Sequence, residues 1–355
     1  MVAGRADLID PFLDGLAIEL ARLGQPVPVD TLFWGGGTPT QLSRAQLARL
    51  VDLTQHWLPL DTAGEWTCEA NPLDCTVETL GQLRAAGVTR LSLGGQSFQA
   101  DKLRRLERDH TPDDLHRALE RAMSVFPSVS LDLIFAAPEE TLEQWLTDLR
   151  SAIAHQIHHV STYGLTIEKG AAFFARQLHG HLTPVDEDVE LKMYLGAIEC
   201  LSAAGYEHYE VSNFAQPHQR CRHNEAYWLG RPWLAFGPGA AGYDGHARTV
   251  NHRSLHTYLR RLQLGQSPVA ERDELTAEQR LRERFVFGLR RLEGIDLVEL
   301  NQDHAWDIER LLEPYLSRAL DRGWFVRDGS RIRLTRAGLV ISDALWPDFL
   351  QPSAQ

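Results

Sequence analysis

Thr31-Leu-Phe-Trp-Gly-Gly-Gly-Thr-Pro-Thr40 decides how this chain is read. An apolar, strand-like run ends in three glycines, and a helical segment follows from Ser43. Glycine has no Cβ, so backbone amides at such a turn can come close to a ligand and adopt positive φ. A Gly-rich turn between a strand and a helix is a common seat for a small polar ligand, but it can equally be a plain chain reversal. What repeats downstream separates the two readings.

Outward from this turn, short apolar strands alternate with amphipathic helices. Strands are expected at Asp30–Trp34, Glu65–Glu69, Arg90–Leu93, Ser130–Ile134, His159–Leu165 and Glu207–Val211. Helices are expected between them, at Gln46–Trp57, Val77–Ala86, Asp113–Phe126, Thr141–Ala154 and Asp186–Ala204. Apolar spacings of three and four, as in Leu115, Leu119, Ala122 and Phe126, carry the helical assignment. Strand–helix alternation at this spacing implies right-handed βαβ units and a parallel sheet, so the fold class is α/β with a barrel or part of one.

In such folds ligands bind at the carboxyl ends of the strands. Gly36 and Gly37 follow the first strand, Glu69 and Asn71 end the second, and Gln96 follows the third. Asp132 lies inside an otherwise apolar fourth, Thr166 and Glu168 follow the fifth, and Asn213 follows the sixth. Polar residues at the same end of every strand describe one shared pocket. A buried carboxylate such as Asp132 is costly unless it is hydrogen-bonded or paired. It is either a structural partner within the barrel or the partner of a ligand hydroxyl or amine, and the second reading is preferred.

Beyond the sixth strand, Pro217 to Gly245 reads as loop. Helices are then expected at Thr276–Arg290, Leu297–His304 and Ile308–Arg322, followed by two apolar runs around Asp328-Gly329, a hairpin signal. Thr335 is placed to cap a final helix over Arg336–Ala344. Helices plus a hairpin describe a small winged-helix-like unit.

Composition bounds what the chain can do. Its 355 residues suffice for one large domain and a smaller one, and 43% hydrophobic with 24% charged residues describes a globular protein. A net charge of −12 argues against nucleic acid as a partner and makes packing or partner contact the better role for the winged unit. No apolar run is long enough for a transmembrane segment, and Met1 to Leu20 is acidic, unlike a secretory signal. A cytoplasmic protein is expected, with peripheral membrane contact left open. Cys68, Cys75, Cys200 and Cys221 show no Cys-x-x-Cys spacing and read as buried or idle thiols. His155, His158, His159, His179 and His181 read as solvated.

The motifs also resemble a known family. Gly35-Gly-Gly-Thr-Pro-Thr40, Glu69-Ala-Asn-Pro72, Arg90-Leu-Ser-Leu-Gly-Gly-Gln-Ser-Phe98, Arg108-Asp-His110 and Ser130-Leu-Asp-Leu-Ile134 occur in this order. Tyr209-Glu-Val-Ser-Asn-Phe-Ala215, His223-Asn-Glu-Ala-Tyr-Trp228 and Phe236-Gly-Pro-Gly-Ala240 follow. Together they are similar to radical S-adenosylmethionine (SAM) proteins of the oxygen-independent coproporphyrinogen III oxidase family, closest to its HemW-type heme chaperone branch. The resemblance runs from about Asp7 to the end.

That resemblance implies a partial TIM-type barrel over 1–235 lacking its first strand, a connecting segment over 236–270, and a C-terminal winged-helix-like domain over 271–355. It implies that Gly36, Gly37 and Thr38 lie against the methionine end of SAM. Glu69, Gln96, Arg108 and Asp132 would take the polar groups of SAM or of a second molecule. It further implies heme contact by His223, Tyr227 and Trp228, with His223 on the heme iron; imidazole is a good axial ligand, and the two rings offer flat apolar faces. The implied function is binding heme and delivering it to heme-acceptor proteins. Two alternatives stand beside it: oxidative decarboxylation of coproporphyrinogen III, and SAM or porphyrin binding without catalysis.

Departures from the family pattern are also legible. A 4Fe-4S cluster is expected on a Cys-x-x-x-Cys-x-x-Cys loop ahead of a helix like Leu8–Leu23, and this sequence contains no such spacing. A start codon assigned too late, or a fragment, is the preferred explanation; true loss of the cluster is the other. Gly95 stands where valine is usual, Phe135-Ala-Ala-Pro138 where Tyr-Gly-Leu-Pro is usual, and Ala241-Gly242 where His-Ser is usual.

Overall fold

A computed structural model describes residues 6–166, 183–301 and 307–351. Glu168, His179, His181 and His304, named above, lie outside the described residues.

Strand–helix alternation builds a curled seven-stranded sheet in the order β1-β2-β3-β4-β5-β7-β6. Its strands are β1 (Val29–Trp34), β2 (Leu60–Ala70), β3 (Arg90–Gln96), β4 (Ser128–Phe135), β5 (His159–Gly164), β6 (Glu207–Glu210) and β7 (Asn213–Ala215). Neighbours from β1 to β5 pair in parallel. Helices α1 (Ile9–Ala21), α2 (Arg44–Trp57), α3 (Val77–Ala85), α4 (Ala100–Arg105), α5 (Pro112–Val125), α6 (Leu142–Ala154) and α7 (Glu187–Ala203) lie among these strands in sequence. Their starts follow local chemistry: Ser43, Thr111 and Thr141 each cap a helix reciprocally with the Gln46, Asp114 and Gln144 side chains.

Period two then sorts each strand between two environments. Leu32, Trp66, Cys68, Leu91, Leu93, Val129, Leu131 and Leu133 are buried in the core shared with the helices. The alternate positions, among them Glu65, Thr67, Glu69, Arg90, Ser92, Ser130, Asp132, His159 and Ser161, form a polar concave face. His159 is therefore not solvated: it is 1% exposed, with Nδ1 bonded to Ser130 Oγ at 2.8 Å and Nε2 to Tyr209 OH at 2.8 Å. Its place on the inward register of β5 decides this. His155 and His158 are half-buried.

The last strands depart from the parallel expectation. β7 is antiparallel to both β5 and β6, so Asn213 sits opposite Ser161 inside the sheet rather than at a strand tip. The Glu210 carboxylate makes the reversal by accepting from Ser212 N at 2.9 Å and from the Asn213 amide. Residues 217–245 are also not wholly loop: they contain α8 (Arg222–Trp228) and β8 (Ala241–Tyr243). The N-terminus of α8 is capped from a distance, Glu65 accepting from Arg222 N at 3.1 Å and His223 N at 3.0 Å. A cap supplied from β2 leaves no local sequence signal.

β8 continues into a three-stranded sheet with β9 (Ala247–Asn251) and β10 (Val269–Glu274), with α9 (Leu255–Gln263) between the last two. This unit is tied to α1 by the buried Glu19, which accepts from Gly237 N at 2.8 Å, Asn251 Nδ2 at 2.6 Å and Tyr258 OH at 2.6 Å. The C-terminal part holds α10 (Ala277–Arg290), β11 (Ile295–Asp296), α11 (Leu297–Asn301), α12 (Ile308–Leu312), α13 (Tyr315–Asp321), β12 (Phe325–Asp328), β13 (Arg331–Leu334), α14 (Arg336–Val340) and α15 (Ser342–Leu350). The expected single helix over Ile308–Arg322 breaks at Glu313-Pro314, because the residue before proline is disfavoured in the helical region. Gly329 turns the hairpin at φ +58, and Thr335 caps α14 by accepting from Gly338 N at 3.1 Å.

Two features stiffen the loops at the carboxyl end of the sheet. Lys102, 3% exposed, is paired with Glu140 and with Asp148 at 3.0 Å. Asp148 also accepts from Ser97 Oγ at 2.7 Å and Phe98 N at 2.9 Å, and Glu140 accepts from Ala137 N at 3.0 Å. The loops after β3 and β4 thus share one buried ionic knot. Within them Gln96, Ala136 and Glu139 take φ of +62, +59 and +62, a region costly for residues with a Cβ.

Replacing Lys102 by methionine should cost about 3–5 kcal/mol in urea unfolding, because two buried carboxylates lose their counter-charge. An unchanged midpoint would remove the knot's structural role. Ala136→Gly should raise stability by about 0.5–1 kcal/mol in the same assay, since glycine adopts this φ without penalty.

Candidate functional site

The carboxyl ends of β1 to β4 are arranged around two carboxylates, Glu69 and Asp132. Gly36 takes φ +74, and its N–H donates to Glu69 Oε2 at 3.0 Å. A Cβ on Gly35 would stand 2.7 Å from the Glu69 carboxylate, so glycine there lets β2's side chain close on the turn after β1. Gly37 is exposed with open space above it, and Thr38 is half-buried beside it. Asp132 lies across from Ser161 by register, and Ser92 Oγ, from β3 on the other side, is 3.5 Å from both of its oxygens. This is a long contact, so the carboxylate keeps capacity to accept.

Burial, with the Asp132 charge adding to it, pushes the Glu69 carboxyl up to about 7. Burial likewise pushes Asp132 up to about 6, against hydrogen bonding from Ser161 and Ser92 and the attraction of Arg90. The two groups feel one another with no bonded cation, and such a pair is suited to a cationic ligand. Gln96, 8% exposed, joins from the end of β3, while Arg108 sits exposed after α4. The structure thus brings Gly36, Glu69, Gln96 and Asp132 to one end of the sheet. Asn213 is taken up by the β6–β7 turn, and Thr166 is exposed beyond β5.

A second constellation fills the concave face below. Arg90 donates to Ser128 Oγ at 2.9 Å and to Gln219 O at 3.3 Å. Tyr209 OH bonds His159 and accepts from Cys221 N at 3.3 Å, while Glu65 holds the start of α8. This network positions His223. Its ring stacks on Phe33 with centroids 5.2 Å apart, its Nδ1 is 2.8 Å from Thr31 Oγ1, and its Nε2 is 2.9 Å from Tyr227 OH. Burial lowers its basicity, so the imidazole is neutral at physiological pH. Tyr227 also meets Trp233 edge-on at 4.8 Å. Trp228 points elsewhere: the Arg290 guanidinium covers its ring at 4.4 Å.

Glu65, Arg90, Ser92, Ser161 and Tyr209 are not among the site residues expected from sequence; Arg90, Ser92 and Tyr209 lie within the quoted motifs, and all five occupy strands, where an alternating polar position is the available signal.

The thiols do not fit an iron–sulfur cluster. Cys68, Cys75 and Cys221 are buried, and burial pushes Cys75 and Cys221 up to about 12 and Cys68 higher still, away from the thiolate form a metal needs. Among the described residues no three Cys, His, Asp or Glu side chains gather to hold a metal ion.

Residues 14–152 match the Radical SAM superfamily, and residues 275–341 match the HemN C-terminal domain. The heme chaperone HemW of Bacillus subtilis is 32% identical over 348 residues, covering 96% of this chain and 92% of that protein. The heme chaperone HemW of Mycobacterium tuberculosis is 35% identical over 331 residues, covering 93% of this chain and 83% of its own. Coproporphyrinogen III oxidase (HemN) from Escherichia coli, a radical SAM enzyme, superposes with a TM-score of 0.85 at 22% identity, over 97% of this chain and 84% of that one. The last likeness is one of fold.

The raised carboxyls give a pH signature. Glu69 and Asp132 are more readily protonated folded than unfolded, so their contribution to stability is full below about pH 4 and is lost as pH rises through about 6 and 7. Glu69→Gln should therefore stabilise the ligand-free protein at pH 8 by on the order of 1–2 kcal/mol, and by much less at pH 4.5. Equal effects at both pH values, in thermal or urea unfolding, would refute the assignment.

Proposed function

This chain belongs to the HemW family of radical SAM proteins, and from that premise we propose that it binds heme and passes it to acceptor proteins, acting in the cytoplasm. The observation that carries this reading is the way the imidazole of His223, the first residue of His223-Asn-Glu-Ala-Tyr-Trp228, is held on the concave side of the sheet by Glu65, Phe33 and Thr31. A neutral imidazole with an in-plane lone pair is an axial ligand for heme iron. Tyr227 and Trp233 lie edge to face, and the exposed Leu229 and Leu234 stand close by in sequence, an apolar setting for one porphyrin face. Trp228, its ring covered by Arg290, is turned away from this setting and is not assigned to the porphyrin.

SAM is the cofactor that the strand-tip pocket fits. Its ammonium and sulfonium charges match the Glu69 and Asp132 carboxylates, which have no ion-pair partner among the described residues, and its hydroxyls and carboxylate suit Gln96, Arg108 and the amides after β1. Gly36, Gly37 and Thr38 would lie along its methionine end. When bound with a reduced 4Fe-4S cluster, SAM supplies radical chemistry in this family. The thiols described here do not fit such a cluster, so no radical step is assigned to these residues. Their own roles are to bind, to orient and to exclude water.

No described helix is long and apolar enough to cross a membrane. The acceptor is proposed to be another protein that takes heme, approached at the α8 surface.

Purified protein titrated with hemin should show a Soret shift that saturates near one equivalent, and His223→Ala should weaken binding by about tenfold or more, the loss of one axial bond. An unaltered titration in that variant would rule out His223 as the ligand.

A further inference from the structure

Neither nitrogen of the His223 ring is free: Nδ1 is 2.8 Å from Thr31 Oγ1, and Nε2 is 2.9 Å from Tyr227 OH. An imidazole engaged at both ends meets heme iron only by giving up one partner. We infer that Tyr227 is a latch on the iron-binding nitrogen of His223, and that Thr31 is the positioning residue that makes Nε2 that nitrogen.

Hydrogen-bond chemistry fixes the direction. A phenol is far more acidic than an aliphatic alcohol, so Tyr227 is the better donor of the two hydroxyls and gives its proton to an imidazole lone pair. That places the lone pair on Nε2 and the N–H on Nδ1, donating to Thr31 Oγ1. The same arrangement orients metal-bound imidazoles generally: one nitrogen ligates, while the other donates to a fixed oxygen. Phe33 holds the ring plane by stacking, and Glu65 holds the His223 backbone N–H, so the ring keeps its place when Tyr227 leaves. In the exchange the Tyr227 O–H···Nε2 hydrogen bond breaks and an Nε2–iron bond forms. The phenol keeps its proton and no electron moves.

This deepens the reading of His223 as the heme ligand and rests on it. A carrier must surrender its cargo. The Tyr227 hydroxyl offers the imidazole a second partner, so it weakens retention of heme and speeds its release.

The test compares hemin titrations, followed at the Soret band, and heme loss to apomyoglobin for the full chain and its variants. Tyr227→Phe should bind hemin about 3- to 10-fold tighter, and lose it more slowly by a similar factor, the worth of one hydrogen bond. Thr31→Val should weaken binding and raise the reduction potential of the bound heme, because the imidazole loses its Nδ1–H acceptor, and Thr31→Ser should restore both. If His223→Ala abolishes the Soret shift while Tyr227→Phe binds no tighter than the parent, the latch is wrong and the ligand assignment stands. If His223→Ala changes nothing, the ligand assignment itself falls. A measurement without heme decides independently: the imidazole 15N resonances of His223 should report a proton on Nδ1, and a proton on Nε2 would overturn the inference.

Discussion

A curled sheet that turns Glu65, Arg90 and His159 toward its concave side must satisfy those groups with little water. The solution is structural: Tyr209 of β6 and residues 216–228, folded back along the concavity, supply the missing partners. Gln219 O receives Arg90, Tyr209 OH bridges His159 and the Cys221 amide, and Glu65 takes the first amides of α8. A buried polar group without a partner costs on the order of 1–3 kcal/mol, so the fold of this segment follows from the sheet's inner face. The pocket above and the histidine below are two outcomes of one requirement.

The two halves of the site are built with different economy. At the strand tips Glu69 and Asp132 stay short of counter-charge, a cost that a cationic ligand removes on arrival. The surrounding loops hold this unfavourable geometry because Lys102 ties them together from behind, and positive φ at Gln96 and Ala136 shows where the backbone is bent to do so. Around His223, by contrast, every ring edge has a partner. One site is poised to receive charge, and the other is already satisfied and must exchange one contact for another.

Much of this was legible in the sequence. Gly36 and Glu69 could be read as strand-tip residues because apolar runs mark the strands and glycines mark their ends. Asp132 stood out because its neighbours demanded burial. The helix starts at Ser43 and Thr335 and the turn at Gly329 are local chemistry, and local chemistry survives folding. What escaped was decided by distant partners. His159 looked like one of several surface histidines until the β5 register turned it inward against Tyr209. The helix α8 looked like loop because its cap comes from Glu65, over 150 residues upstream. The Lys102 knot left no trace, since Glu140 and Asp148 sit in otherwise unremarkable helical and turn positions. The Gly95 departure has a steric answer: a Cβ there would stand 2.5 Å from Leu131 and 2.9 Å from Leu115, which fill the space a valine would use.

Glu19 has a bearing on how the chain is made. Its carboxylate is held by Gly237, Asn251 and Tyr258, separated from it by 218, 232 and 239 positions. During synthesis α1 leaves the ribosome long before any of these donors exists, with a carboxylate destined for burial and nothing to bury it against. Its final docking waits on most of the polypeptide, a closure of high sequence separation that is slow for entropic reasons. Leu13, Leu16 and Leu20 can pack early on the core built from β1 and α2, but the Phe12 and Gly15 side of α1 stays uncovered until α9 arrives, open to chaperones or to misassociation.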